Sequence, residues 1–285
     1  MKKLRVCLTL ALLAVVCFAA VAARLTDRSE VVPEIVFLSV GEGSATLLRT
    51  GAGNILIDAG PDDAETALCK RLRRLGVESF ALVIFTHPDE DHIGGGDGIL
   101  RAFPTDAVWT NGEVADSDCF RALAEAMREI PVRTASAGTF ANIGGAVITV
   151  LSPVPERAGS LTENENSLVL KLHVGEWEIL LMGDAGQETE SYLLSDYGAA
   201  QLRADILVAG HHGSDSASGA DFLSAVSPSR IVVSCGSGNR YGHPDGRALA
   251  RMEKVCSDIR RTDLEGDIHI PLLPDAGEQT EKGES

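Results

Sequence analysis

The chain has 285 residues, 45% of them hydrophobic, which suits one large domain with a sizeable core and is too apolar for a disordered segment. Its 41 acidic side chains against 25 basic ones give a formal charge of −16. That argues against a protein that grips nucleic acid through a basic surface, because phosphate contacts need Lys and Arg.

Residues 1–23 stand apart. Lys2, Lys3 and Arg5 precede an apolar run from Val6 to Ala23 whose only polar side chain is Thr9, and Ala20-Val21-Ala22 offers a small-x-small cleavage pattern. This reads as a secretion signal peptide. An uncleaved N-terminal anchor is the alternative, since the run is about as long as the shortest bilayer span, ~17 residues. Cys17 lacks the leucine and small-residue approach of a lipidation site. Either way the protein is expected outside the cytoplasm, with membrane contact confined to residues 6–23. Residues 24–32 read as a linker, 33–272 as one domain and 273–285 as a disordered acidic tail. Cys69, Cys119, Cys235 and Cys256 show no CxxC spacing, so they are expected to be buried free thiols rather than a zinc knuckle or redox pair.

From Glu34 onward short β-rich runs alternate with helical ones, the pattern of an α/β protein. "EIVFLSV", "ATLLRT" and "NILIDAG" follow closely with glycine between them and predict an antiparallel meander. A helix is predicted over 63–75, its Lys70, Arg71, Arg73 and Arg74 forming a solvated face. Then come the buried strand "ALVIFT", a helix over 94–103, the strand "DAVWT" and a helix over 117–129. The second half runs through "AVITVL", "SLVLKLHV" and "WEILLMGD", a helix over 187–197, "DILVAG", a helix over 219–226, "RIVVSCG" and a helix over 244–256. "IRRTDLEGDIHIPLL" predicts a closing hairpin.

The segment "FTHPDEDHIGGG" concentrates ligand-type side chains where a strand turns into a helix. In an extended stretch His87, Asp89 and Asp91 project to one side, and His92 turns inward as the helix begins. Imidazole and carboxylate together suit Zn²⁺, Mn²⁺ or Fe, and such a density of negative oxygen is costly unless cations neutralise it. Gly94, Gly95 and Gly96 are expected to clear space for a substrate. Three later strands end in comparable residues: "ILLMGDAG" in Asp184, "DILVAGHHGSDS" in His211 and His212, and "RIVVSCGSGNRYGHP" in Asn239 and His243. Strand C-termini are where ligands gather in α/β proteins.

The ordered set "THPDEDHIGG", "LLMGD", "AGHHGS" and "NRYGHP" resembles the metallo-β-lactamase superfamily, and within it the hydrolase domain of ComEC-type DNA-internalisation competence proteins. The resemblance covers nearly the whole chain after the leader. It implies a four-layer αβ/βα sandwich with two divalent metal ions, Zn or Mn, at one edge. His87 and Asp89 would hold one ion, Asp91, His92 and His211 the other, and Asp184 would bridge them. His243 is the alternative to His211. Asp58 of "ILIDAG" matches the early aspartate of the superfamily, which would support the ligands from behind. Two departures stand out: Asp89 replaces the second histidine of H-x-H-x-D-H, and "ENENSLVL" replaces the histidine motif before the Asp184 strand, leaving Asn166 as a weak amide ligand.

The resemblance further implies a phosphodiesterase or nuclease in which a water between the cations attacks phosphorus. Asp91, His212 and His243 would take catalytic roles, and Ser214, Asn239 and His243 would contact substrate oxygen. The expected partner is a phosphodiester: DNA, a small nucleotide or a cell-surface phosphodiester; no protein partner is evident. The alternatives are hydrolysis of a lactam, lactone or thioester, and a non-catalytic binding module on the same scaffold.

Overall fold

A computed structural model describes residues 32–158 and 161–273. The expected leader, most of the linker and residues 274–285 of the expected tail lie outside the described residues.

The expected meander is present as β1 (Glu34–Phe37), β2 (Thr46–Thr50) and β3 (Gly53–Ile57), paired antiparallel in chain order. Helix α1 (Glu65–Arg74) then returns the chain to β4 (Leu82–Ile84), which lies parallel to β3. Short α2 (Glu90–Ile93) and α3 (Gly96–Ala102) lead to β5 (Val108–Thr110), and α4 (Asp118–Ala126) leads to β6 (Val132–Thr134). The second sheet starts with β7 (Phe140–Ile143), β8 (Ala146–Ser152), β9 (Val169–Val174) and β10 (Trp177–Leu181), all antiparallel neighbours. It continues in parallel through α5 (Gln187–Leu202), β11 (Ile206–Val208), α6 (Ala220–Val226), β12 (Arg230–Val233), α7 (Gly246–Met252) and β13 (Ile259–Arg261).

With a last strand, β14 (Ile268–Pro271), each sheet has seven strands, part antiparallel and part parallel, in the order β14-β1-β2-β3-β4-β5-β6 and β13-β12-β11-β10-β9-β8-β7. Strand periodicity sorts the apolar runs into layers. Ile35, Phe37, Ile55, Ile57, Leu82 and Ile84 join Leu170, Leu172, Ile179, Leu181, Val208 and Val232 in one core between the sheets. The intervening residues face outward onto helices: Val36, Leu56 and Val83 pack with Leu68, Leu72 and Ile99, and Leu180, Leu207 and Ile231 pack with Leu193, Phe222 and Met252. Strands buried on both faces explain the near-continuous apolar runs of the sequence. The result is the expected αβ/βα sandwich.

The predicted closing hairpin is not formed. β13 pairs parallel with β12, whereas β14 (Ile268–Pro271) pairs antiparallel with β1 in the other sheet. A short helix, Thr262–Glu265, and Gly266 at φ +73° separate the two strands. Ile268, Ile270 and Leu272 then bury themselves in the core between the sheets, which a hairpin at the edge of the second sheet would not allow. The four body cysteines are free, as expected, and three of them are buried.

Candidate metal centre

β4 delivers the first cluster. Pro88 disfavours helical backbone at His87, and the helix starts only after Asp89, which holds the N-cap position of α2 in extended conformation at ψ 143°. Asp91 lies in the first turn of α2 and His92 in its last. β10 ends just before Asp184, β11 just before His211 and His212, and β12 before the 236–243 loop, so three adjacent parallel strands converge on the β4 loop.

Asp184 is the hub. It is 3% exposed, and its two oxygens face different groups. Oδ1 lies 3.0 Å from His92 Nε2 and 3.5 Å from His212 Nε2, whereas Oδ2 lies 3.8 Å from His211 Nε2 and 3.9 Å from His87 Nε2. Asp91 Oδ2 is 3.2 Å from His212 Nε2, and Asp89 Oδ2 is 3.5 Å from His87 Nε2. Ligand-type atoms of His87, His92 and Asp184, and those of Asp91, His92 and His212, fall within 4.8 Å of one another. His212 thus sits beside Asp91 and His92, the place expected of His211. His211 occupies the opposite side of Asp184, where Asn164 Nδ2 is 3.3 Å from its Nε2.

Hydrogen bonds behind the cluster assign the tautomers. Asp58 Oδ2 is 2.8 Å from His92 Nδ1, and the Ser234 carbonyl is 2.9 Å from His212 Nδ1, so both acceptors take an Nδ1 hydrogen. The Thr86 hydroxyl donates to Asp58 and accepts from His87 Nδ1 at 3.1 Å. Three imidazoles therefore turn Nε2 lone pairs toward one volume, with those of His92 and His212 only 3.1 Å apart. Facing lone pairs repel unless a proton or a metal cation lies at them. His87 Nε2 and Asp184 Oδ1 are also buried without a hydrogen-bond partner, a state that is costly unless a ligand completes it. The donor set fits a divalent cation.

The electrostatics agree. Burial opposes charge on His92, but Asp184 and then Asp58 outweigh it and hold its pKa well above the ordinary imidazole value. His212 is raised for a similar reason, with burial opposing and Asp184 prevailing. Burial pushes the Asp184 carboxyl up, yet His212 and His92 bring it well below the usual range. Asp91, likewise opposed by burial, is lowered to about 2 by its contact with His212. These carboxylates stay ionised and attract positive charge.

Backbone strain marks the same place. Asp58, His211 and His212 have φ of 59°, 49° and 53°, a left-handed conformation uncommon outside glycine that persists only where surroundings enforce it. Part of that enforcement comes from residues the sequence did not single out. Glu190 of α5 accepts the Ser218 and Gly219 amides at 2.6 and 2.8 Å. From α7, Arg251 donates to the carbonyls of Asp215, Ala217 and Ser218 and to the Asp215 carboxylate. The loop after His212 is clamped from two helices. Asp58 takes the supporting place expected of it, and Thr86, inside the quoted motif, joins it.

The remaining predicted residues are placed as follows. His243 lies beside His211, ring centroids 5.5 Å apart, with its pKa lowered by burial and then by His211. A Cβ at Gly213 would sit 2.7 Å from Pro244, so glycine there permits this approach. Asn239 spends its side chain on its own loop, accepting from the His243 amide at 2.9 Å and donating to the Gly236 and His243 carbonyls. Ser214 Oγ is engaged by Ser216. Asn166 is buried, donating to Glu113 at 2.5 Å with Oδ1 unpartnered. The glycines after His92 do not clear a substrate path: a Cβ on Gly94 would meet Asp62 N at 2.3 Å, on Gly95 Ala59 O at 2.6 Å and on Gly96 the Phe85 ring at 2.8 Å. They let the helices press against the 59–62 loop and Phe85.

Comparison with known proteins agrees with this geometry. The family model described as Metallo-beta-lactamase superfamily matches residues 38–236. ComE operon protein 3 of Bacillus subtilis (strain 168) is 28% identical over 255 residues, 82% of this chain and 32% of that protein. Competence protein ComA of Neisseria gonorrhoeae is 29% identical over 250 residues, 86% of this chain and 34% of that one. The chain thus spans about a third of the length of these curated relatives. Among solved structures, the metallo-beta-lactamase fold protein YhfI from Bacillus subtilis superposes with a TM-score of 0.53 at 14% identity, covering 84% of this chain and 98% of that one.

Proposed function

We propose that this chain, which belongs to the metallo-beta-lactamase superfamily, is a metal-dependent hydrolase of the phosphodiesterase class. The observation that carries the reading is the convergence of the Nε2 atoms of His87, His92, His211 and His212 on the two oxygens of buried Asp184, with Asp89 beside His87 and Asp91 beside His212. His92, His212 and Asp91 would hold one divalent ion with Asp184 Oδ1. His87, Asp89 and His211 would hold a second with Oδ2. Bound there, a pair of such ions supplies Lewis acidity and an activated water.

The chain's own residues set the rest. Asp58 and the Ser234 carbonyl keep His92 and His212 in the ligating tautomer, and Thr86 does so for His87. The oxygen-rich donor set, with Asp89 where the lactamase pattern has histidine, favours hard cations and phosphoryl chemistry over lactam opening. The similarity to competence proteins supports the same choice. His243, kept neutral at neutral pH by burial and by His211, is suited to donate a hydrogen bond to a substrate oxygen rather than to carry a permanent charge. Asn239 shapes the loop that presents it.

The test is direct. Purified protein is assayed against bis(p-nitrophenyl) phosphate, linear DNA and a chromogenic lactam, with and without Mn²⁺ or Zn²⁺, alongside measurement of bound metal. Metal-dependent diester turnover that is lost in His87→Ala and Asp184→Ala is the expected result. Lactam turnover without diester turnover, or metal-bound but inert protein, contradicts it.

A further inference from the structure

A small cavity lies on the core side of the candidate centre. Its volume is about 20 Å³, enough for one water, which needs roughly 10–15 Å³, and too little for a substrate. His92, His212 and Asp184 line it, whereas Asp91 faces the open cleft on the other side. Ile57, Leu181 and Val208, members of the core between the sheets, also line it.

Two lining groups are short of partners. Asp184 Oδ1 and the Ser234 hydroxyl are shielded from solvent, in residues 3% exposed, and neither makes a hydrogen bond. In the tautomers assigned above, His92 and His212 turn lone pairs toward Asp184 Oδ1, so neither gives it a hydrogen. Asp58, in the same lining, is already engaged by the Thr86 amide and hydroxyl and by His92 Nδ1. An ionised carboxylate oxygen only accepts, and a hydroxyl both donates and accepts. Whatever joins Asp184 to Ser234 must therefore offer a hydrogen to the first and exchange one with the second. Water does both at this size. Ser44 lines the same cavity and brings the polar neighbours to three, within the about two to four that a buried water needs.

We infer that one ordered water occupies this cavity, donating to Asp184 Oδ1 and hydrogen-bonded to the Ser234 hydroxyl, and that Ser234 is thereby a positioning residue for two ligands of the Oδ1-side ion. Its carbonyl already takes the Nδ1 hydrogen of His212. Its hydroxyl holds the Asp184 carboxylate through the water. The backbone amide of Asp184 is fixed separately, donating to Ser167 Oγ at 3.1 Å, so the water secures the end that ligates. The inference rests on the metal-binding part of the reading above and is independent of the substrate.

A crystal structure of the metal-loaded protein, at a resolution that shows waters, tests the first half. One solvent peak within hydrogen-bond distance of both Asp184 Oδ1 and Ser234 Oγ is expected. No peak in the cavity, or a metal ion there, overturns the inference. Calorimetric titration with Mn²⁺ tests the second half. Ser234→Ala keeps the carbonyl and deletes the hydroxyl, so the tight ion is expected to bind about 10-fold more weakly, as on loss of a supporting partner, with the weaker ion changed less. A variant that melts lower yet binds both ions as the wild type does shows Ser234 to be packing alone and overturns its positioning role. If neither protein binds an ion, the metal-binding reading fails, and the solvent peak in the metal-free crystal still decides the water.

Discussion

The two sides of Asp184 are built differently. Around Oδ1, the His92, His212 and Asp91 contacts span 3.0–3.5 Å, and both histidines are buried and braced by an aspartate or a backbone carbonyl. Around Oδ2, the His87, Asp89 and His211 contacts span 3.5–3.9 Å; each side carries one aspartate about a third exposed, Asp91 or Asp89, but here a histidine, His211, is about a third exposed as well. His211 has looser support, from the Ser216 hydroxyl at 3.2 Å. The difference teaches that a shared carboxylate need not make an even-handed site. Pre-organisation lowers the cost of binding, so the Oδ1 side is expected to take up the first ion and the Oδ2 side to be left partly filled at limiting metal.

Several substitutions can break or sharpen that contrast. Asp184→Asn removes the group common to both sides, and activity with added metal should fall by more than ~100-fold, beyond the effect expected of a supporting residue. Retention of activity in a steady-state assay would show that the two sides do not depend on it. Next in size, His212→Ala should abolish tight binding of the first ion, while His211→Ala leaves that step intact and weakens only the second, as read by metal content after dialysis. Asp58→Asn should lower affinity for the first ion by ~10–100-fold, with the second changed less.

The smallest expected effect lies away from the ions. Burial, opposed by the Ser218 and Gly219 amides, raises the Glu190 carboxyl to about 7. The folded protein then holds a proton that the unfolded chain releases near the ordinary glutamate value of 4.5, so this residue's contribution to stability falls as pH rises between those values. The loss should be on the order of 3 kcal/mol across that window. Denaturant melts of Glu190→Gln should show a flatter pH dependence there; an unaltered slope would mean that Glu190 ionises as it would in water.

Much of the architecture was legible because burial on both faces writes itself as long apolar runs, as in "ALVIFT" and "WEILLMGD". Strands that lack this burial were not. Val132–Thr134 is exposed throughout, and Phe140–Ile143 is at best half-buried, so neither carries the periodic signal. The closing strands were misread as partners because nearness in sequence suggested a hairpin, whereas the apolar face of β14 belonged with β1. In the site, His87, Asp89, Asp91, His92 and Asp184 stand together in the sequence or at a strand end. The order of His211 and His212 could not be read by alternation, since both leave the strand at positive φ. Asn239 and the glycines after His92 look chemical in sequence yet serve the packing of their own loops. Glu190 and Arg251 look like ordinary surface charges on helices, and only the fold shows them gripping the histidine loop.

The most direct measurement is a titration of Mn²⁺ or Zn²⁺ into metal-free protein by calorimetry, run on the wild type, His212→Ala and Asp89→Ala. Two ions per chain are predicted, a tight one lost in His212→Ala and a weaker one lost in Asp89→Ala. A single class of site, no binding, or a His212→Ala titration that matches the wild type would contradict an asymmetric pair of ion sites sharing Asp184.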